Sequence, residues 1–388
     1  MDKIYIDATA TANTLHHTGI QRVVRSLILY GAVRMEEWIP VIWSGEGFRA
    51  PTRGERRRLI DVFSRGLHRK RGISRFLDRW EKKWEIDFLH EPEGTLLLIP
   101  EIPSGDRLRF LDDLAATGAR QMEMAAVCHD LLSWSSPQWT PDSRREGFTD
   151  YLRFLGLVER VICPSQATAS EWQRFQREEG VAGAEPEVLP WPPGGGRSHP
   201  ARQERPLEIL CVGTLEARKN HAALLEAAEL LWTEGVEFSL TLVGRRRAKN
   251  ENEIPDRIAE LRSKGRSVDW LGQVSDAELE ELYAKAAFTV FPSLAEGYGL
   301  PVAESLVRGR PCVCSGEGAV GEIAAGGGCR TVRVEDPGQL SAGIRDLLTE
   351  PELRERLARE GLARSWPTWD EWMSQLAAEE PDASEGTA

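Results

Sequence analysis

Two runs of residues carry most of the chemistry in this chain. Thr214-Leu215-Glu216-Ala217-Arg218-Lys219-Asn220 follows an apolar run that ends at Gly213 and precedes a helical pattern. Adjacent cations in a strand-to-helix loop can neutralise a diphosphate near a helix amino terminus, and Asn220 is placed to cap that helix. The second run is Ser293-Leu294-Ala295-Glu296-Gly297-Tyr298-Gly299-Leu300-Pro301-Val302-Ala303-Glu304. Its two glycines let the backbone approach a ligand closely. With Pro301 at the first helical position, the amides of Gly299 and Leu300 point toward an anion. Carboxylates accept paired hydroxyls, so loop residue Glu296 suits a sugar ring and Glu304, one turn into the helix, a ribose diol. Glu304 could equally do no more than complement the helix dipole.

The elements that must position these residues alternate between short apolar strands and helices. Strand patterns at 3–7, 38–43, 95–100, 123–128 and 158–164 are interleaved with helical ones, including 106–116 and 166–178. The alternation restarts at 207–213 and continues through 238–244, 268–271, 288–292 and 311–315, with helical patterns at 222–232, 254–264, 276–286 and 302–307. Such alternation predicts parallel sheets with helical crossovers. The proline- and glycine-rich stretch from Trp191 to Pro200 separates the halves. The expected organisation is a Rossmann-like domain at 1–190, a linker at 191–205, a second Rossmann-like domain at 206–370, and a carboxyl-terminal helix within 371–388 that packs back on the first domain before an acidic tail. Two doubly wound α/β domains would face a shared cleft and bind ligands beyond their strand carboxyl ends.

Composition excludes other classes. The 388 residues are 41% hydrophobic and 28% charged, as in an ordinary globular chain. The net charge of -12 argues against a nucleic-acid partner. Against that background, Arg53 to Lys83 holds twelve Lys and Arg but four acids. Leu59, Ile60, Phe63 and Leu67 share one helical face there, as do Phe76, Leu77, Trp80 and Trp84. A basic amphipathic segment at 53–84 suits an anionic membrane surface, or else packs its apolar face on its own domain. No apolar run approaches the roughly 20 residues of a membrane-spanning helix. The amino terminus lacks a secretory h-region, so the expected location is the cytoplasm, peripherally at the inner face of the plasma membrane. Six scattered cysteines read as reduced core residues, and His16-His17, without a third ligand at recognisable spacing, as part of a loop rather than a metal site.

The sequence resembles the retaining glycosyltransferases of family 4, which have the GT-B fold. The resemblance rests on Val212-Gly213 through Asn220 and on Glu296-Gly-Tyr-Gly-Leu-Pro-Val-Ala-Glu304. Val161-Ile-Cys-Pro-Ser165 looks like the family's strand-to-helix step, and 311–315 through Gly321-Glu322-Ile323 like its following strand and loop. It is dense from about 158 to 376 and sparse before that. It implies that Arg218 and Lys219 bind the donor diphosphate and replace a metal, with Gly213 beside them. Glu296 would meet the donor sugar, Glu304 the ribose, and the stretch from Gly297 through Tyr298 and Gly299 to Leu300 would support sugar and phosphates. Thr18-Gly19-Ile20-Gln21-Arg22 is similar to the family's first glycine loop, with Gly19 near the β-phosphate. His129 would lie near the reacting carbon, with Asp130, Trp134 and Ser165 as acceptor-side or cleft candidates; core packing explains Trp134 as readily. The implied activity is metal-independent transfer of a hexosyl group, mannose from GDP-mannose as first choice, to a hydroxyl of a glycan or lipid-linked acceptor, as in bacterial surface polysaccharide and lipopolysaccharide assembly. The alternatives are another GT-B enzyme, either a small-glycoside synthase or a nucleotide-sugar epimerase, and a non-catalytic sugar-nucleotide-binding protein.

Overall fold

The computed structural model describes residues 3–14, 19–34, 38–60, 85–117, 120–139, 142–194, 207–246 and 253–378. The chain forms two compact units: residues 1–164, 168–192 and 367–388 in the first, and 165–167 with 193–366 in the second.

The first unit holds seven strands, β1 (Lys3–Asp7), β2 (Trp38–Trp43), β3 (Phe48–Arg49), β4 (Thr95–Ile99), β5 (Glu123–Val127), β6 (Arg160–Cys163) and β7 (Pro186–Val188), in the order β3-β2-β1-β4-β5-β6-β7. All pairs are parallel except β2 with β3. Helices cover parallel sheets on both faces, so central strands become continuous apolar runs; Leu96, Leu97, Leu98 and Ile99 of β4 are fully buried. The chain reverses its direction of travel across the sheet between β1 and β4, which makes their carboxyl ends a crevice.

The second unit has six parallel strands, β8 (Leu207–Val212), β9 (Phe238–Val243), β10 (Val268–Trp270), β11 (Phe288–Phe291), β12 (Cys312–Ser315) and β13 (Cys329–Val332), in the order β10-β9-β8-β11-β12-β13. Its reversal falls between β8 and β11. The loops leaving those two strands are therefore neighbours although 77 residues separate Lys219 from Glu296.

Helix starts follow local chemistry. Ser275 with Glu278 forms a capping box for Asp276–Lys285, Asp336 caps Pro337–Thr349, and Thr368 with Glu371 caps Trp369–Ala377. Two details depart from sequence expectation. Asn220 stands at the start of helix His221–Thr233 in the left-handed region (φ 54°), yet its side chain caps nothing and donates to the Val334 carbonyl at 2.7 Å. Gly321-Glu322-Ile323 lies in helix Gly318–Ala325 rather than a loop. Pro301 is the second residue of helix Leu300–Val307, whose start is Gly299 with φ 108°.

Candidate active site

At the β8/β11 crevice four charged side chains interlock. The Arg218 guanidinium meets Glu216 and Glu296, each at 2.7 Å, and donates to the Ala295 carbonyl at 2.7 Å. Lys219 pairs with the other oxygen of Glu296, which also accepts from the Ser293 hydroxyl. The Lys219 ammonium lies 5.0 Å from the centre of the Phe291 ring. The two loops are also joined through backbone, Leu294 N–H to the Arg218 carbonyl at 2.9 Å. Burial alone would raise the Glu296 pKa, but the charges of Lys219 and Arg218 and the hydrogen bonds outweigh it and hold the carboxyl at about 2. The cluster balances two cations against two carboxylates and keeps 11–19% of each side chain exposed.

Backbone geometry below the cluster demands glycine. A Cβ on Gly244 would lie 1.9 Å from the Gly213 carbonyl oxygen, so the ends of β8 and β9 can meet only without side chains there. Gly213 itself sits against the Lys219 stem and His221. His221 opens its helix at 2% exposure with Nδ1 lacking a partner among the described residues. Burial first, and then the Lys219 charge, push its pKa down to about 3, so it is neutral.

In the second run, the Gly297 carbonyl accepts from Ser165 at 2.7 Å, and Ser165 groups with the second unit. Tyr298 is 9% exposed, and burial raises its pKa. Glu304 is buried at 2% and accepts from the Tyr283 hydroxyl at 3.3 Å. A diol at that carboxylate would share it with the tyrosine.

In the first unit His129 follows β5 and its Nε2 bonds the Pro100 carbonyl at 2.8 Å. Burial lowers its pKa, against opposing contributions from Pro100 and Asp130. Asp130 accepts from the Leu132 amide at 3.1 Å. Trp134 adopts the core-packing alternative: it meets Phe175 edge-on with ring centres 5.3 Å apart, lies under Arg174, and donates to Glu179 at 3.2 Å. Gly19 is the exposed first residue of helix Gly19–Arg34.

Residues 197–364 match the family model of glycosyl transferases group 1. That region is similar to this family and makes up less than half of the chain. The chain is 26% identical over 334 residues to the serotype-specific mannosyltransferase WbdA of Escherichia coli, covering 80% of this chain but 38% of that protein. It thus spans less than half the length of that relative. It is also 26% identical over 249 residues to a GDP-mannose-dependent alpha-(1-6)-phosphatidylinositol dimannoside mannosyltransferase of Mycobacterium tuberculosis, covering 60% of this chain and 61% of that one. Among solved structures, sucrose-phosphate synthase from Thermosynechococcus elongatus superposes with a TM-score of 0.67 at 17% identity over 97% of both chains. The fold is GT-B.

The second unit contains charged groups that the sequence patterns do not single out. Arg245 and Arg246 follow β9 after Gly244, and the Leu215 amide bonds the Arg245 carbonyl at 2.9 Å; three arginines after an apolar strand were the available signal. In the first unit, Asp7 and Glu101 end up 0% and 2% exposed around Arg107, each 3.2 Å from its Nη1. No spacing pattern announces that trio. Of the basic segment 53–84, helix Arg53–Ile60 is described: Arg53 and Arg57 are exposed, whereas Leu59 and Ile60 are buried in the first unit. Those two apolar residues face the domain's own core and are not available to a membrane. Residues 61–84, His16-His17, Thr18, positions 195–205 of the linker and the acidic tail beyond 378 lie outside the described residues. Among the described residues no helix is long and apolar enough to cross a membrane.

Proposed function

We propose that the chain is a retaining, metal-independent hexosyltransferase that moves mannose from GDP-mannose to a hydroxyl of a glycan or lipid-linked acceptor in polysaccharide assembly. The observation that carries this reading is the Arg218–Lys219–Glu296 cluster at the switch point of the sheet within the region similar to group 1 glycosyl transferases. A diphosphate competes with Glu296 for the two cations. Once displaced, Glu296 is free to accept sugar hydroxyls. Arg218 and Lys219 then stabilise the charge that develops on the departing diphosphate, the service a divalent metal would otherwise give. The amides opening helix Leu300–Val307 add partial positive charge at the same end of the sheet. The similarity to a mannosyltransferase and to a GDP-mannose-dependent enzyme favours mannose and a guanine nucleotide.

Departure of the nucleotide and attack by the acceptor on one face of the sugar retains the anomeric configuration and asks for no side-chain nucleophile. A lipid-anchored acceptor would be met through the cations of 53–84, of which Arg53 and Arg57 are exposed. The test is incubation of the intact protein with GDP-mannose and mannoside acceptors, with and without EDTA, followed by NMR of the product. An α-mannoside formed equally in EDTA is the expected result. A β-linked product, or dependence on added metal, overturns the mechanism. An isomerised nucleotide-sugar with no glycoside overturns the transferase reading itself. Flotation with anionic vesicles at low salt tests the membrane contact, which fails if the protein stays at the bottom of the gradient.

A further inference from the structure

His129 is held by more than its hydrogen bond. A carbonyl oxygen only accepts, so the 2.8 Å contact with Pro100 requires the proton on Nε2. In the neutral ring Nδ1 then carries the lone pair, and among the described residues the ring makes no second hydrogen bond. One face of the imidazole stacks on Trp191, ring centres 6.0 Å apart and planes 27° apart. Trp191 stacks on Trp372 at 5.1 Å and 24° and leans on Trp369 at 6.2 Å. Trp369 stacks in turn on Tyr30. The three indoles are 1–5% exposed.

The helix Trp369–Ala377 that supplies two of them is anchored to the same unit. Trp372 donates to the Leu189 carbonyl at 3.3 Å, and Arg160 donates to the Leu376 carbonyl at 2.7 Å while paired with Glu187. The imidazole is therefore fixed in its plane by an aromatic column from a segment some 240 residues away in sequence, and in its tautomer by Pro100.

Resting on the reading that His129 meets the donor sugar, we infer that Trp191 is a positioning residue that holds His129 with Nδ1 as a hydrogen-bond acceptor for a sugar hydroxyl. The assignment is chemically selective. A bare Nδ1 accepts from an O–H but offers nothing to a phosphate oxygen, so His129 is directed at the hexose rather than at the diphosphate. A pyranose lacking that hydroxyl would leave the lone pair unsatisfied.

The test uses the full chain with ¹⁵N-labelled histidine. In the unaltered protein the His129 shifts should report the Nε2–H tautomer at neutral pH. Trp191→Leu should average the two tautomers and cut kcat/KM for transfer at least tenfold, with GDP affinity within twofold. Trp191→Phe, which keeps an aromatic face, should restore both. If Trp191→Leu does not fold, Trp372→Leu, one residue removed from the imidazole, is read in the same way. Unchanged His129 shifts in the leucine variant overturn the inference whatever the activity. Averaged shifts with unchanged kcat/KM uphold the positioning and overturn the role of His129 at the sugar. A protein that transfers nothing still answers the tautomer question, so the two failures are separable.

Discussion

The two sheets each place a mixed-charge cluster at the crevice where strand order reverses, and the clusters do opposite things. At β1/β4, Arg107 faces two carboxylates, and all three are nearly inaccessible. Glu101 accepts from the Ala10 and Thr11 amides at 2.6 Å, and Asp7 from Thr9, so the crevice is filled by the protein's own helix start. At β8/β11 two cations face two carboxylates, and each side chain stays partly exposed. The first arrangement leaves excess negative charge in the dry interior, where burial and the Asp7 charge raise the Glu101 pKa. The second leaves cations at a surface with the Glu296 pKa lowered to about 2. Equivalent positions in two Rossmann-like sheets thus hold a buried structural plug and, at β8/β11, the partly exposed cluster proposed here to take an anion, and charge sign with burial tells them apart.

Removing the central cation on each side sharpens that contrast. Arg107→Leu strands two buried carboxylates and should cost about 3–5 kcal/mol of stability, seen as a fall of about 10 °C in thermal unfolding. GDP affinity of the folded protein should not move. A variant that melts like the parent would show that the two buried carboxylates do not depend on the arginine.

Lys219→Ala should do the reverse. Loss of one preorganised charge at a developing anion costs about 10²–10³-fold in kcat, roughly 2.7–4 kcal/mol of transition-state stabilisation. Unfolding should stay close to the parent, because Arg218 still pairs with Glu296. Steady-state kinetics beside a melting curve decides it, and equal losses in both would make the second crevice as structural as the first.

Protons offer a gentler way to separate them. His221 has a folded pKa near 3, below the ordinary 6.5, so the unfolded chain takes up a proton first as pH falls. Its contribution is complete above 6.5 and is lost progressively between 6.5 and 3, with a slope approaching 1.4 kcal/mol per pH unit. Glu296 follows the same sign lower down, losing stability from about 4.5 toward 2. Glu101 runs the other way, since a raised carboxyl pKa favours the folded state as pH falls toward its folded value. His221→Phe should flatten the decline between pH 6.5 and 3 by up to about 1.4 kcal/mol per pH unit, leaving below 4.5 the loss contributed by Glu296. A parallel pair of curves would mean that His221 titrates in the folded protein as it does in the unfolded chain.

The same contrast explains what the sequence discloses. The β8/β11 site was legible because its residues sit in short contiguous runs, Gly213 to Asn220 and Glu296 to Glu304, beside strands that are largely apolar. The strands with the least buried character escaped: β7 and β13 have no fully buried residue, so no hydrophobic period marks them. The Asp7–Glu101–Arg107 plug was invisible because it joins residues up to 100 apart whose types are ordinary. Trp191 reads as part of a linker in sequence, and its burial against Trp372 depends on a helix that returns from the far end of the chain.

The smallest effect concerns Asn220, the one described non-glycine residue with positive φ, directly between Lys219 and His221. A left-handed residue costs roughly 1–2 kcal/mol for an ordinary L side chain, less for asparagine, and the Val334 hydrogen bond returns about 0.5–1.5 kcal/mol. Asn220→Gly keeps the backbone and loses only that bond, so stability should change by less than about 1 kcal/mol. Asn220→Ala loses the bond and meets the full steric penalty, so it should fall about 1–2 kcal/mol below the glycine variant. If the backbone rather than the side chain of Asn220 sets the position of Lys219, transfer activity should follow the same order, with glycine near the parent and alanine below it. Activity lost equally in both variants would move the role to the side chain and its anchor on Val334. The loop after β8 would then be held in place from Val334 instead of by its own left-handed turn.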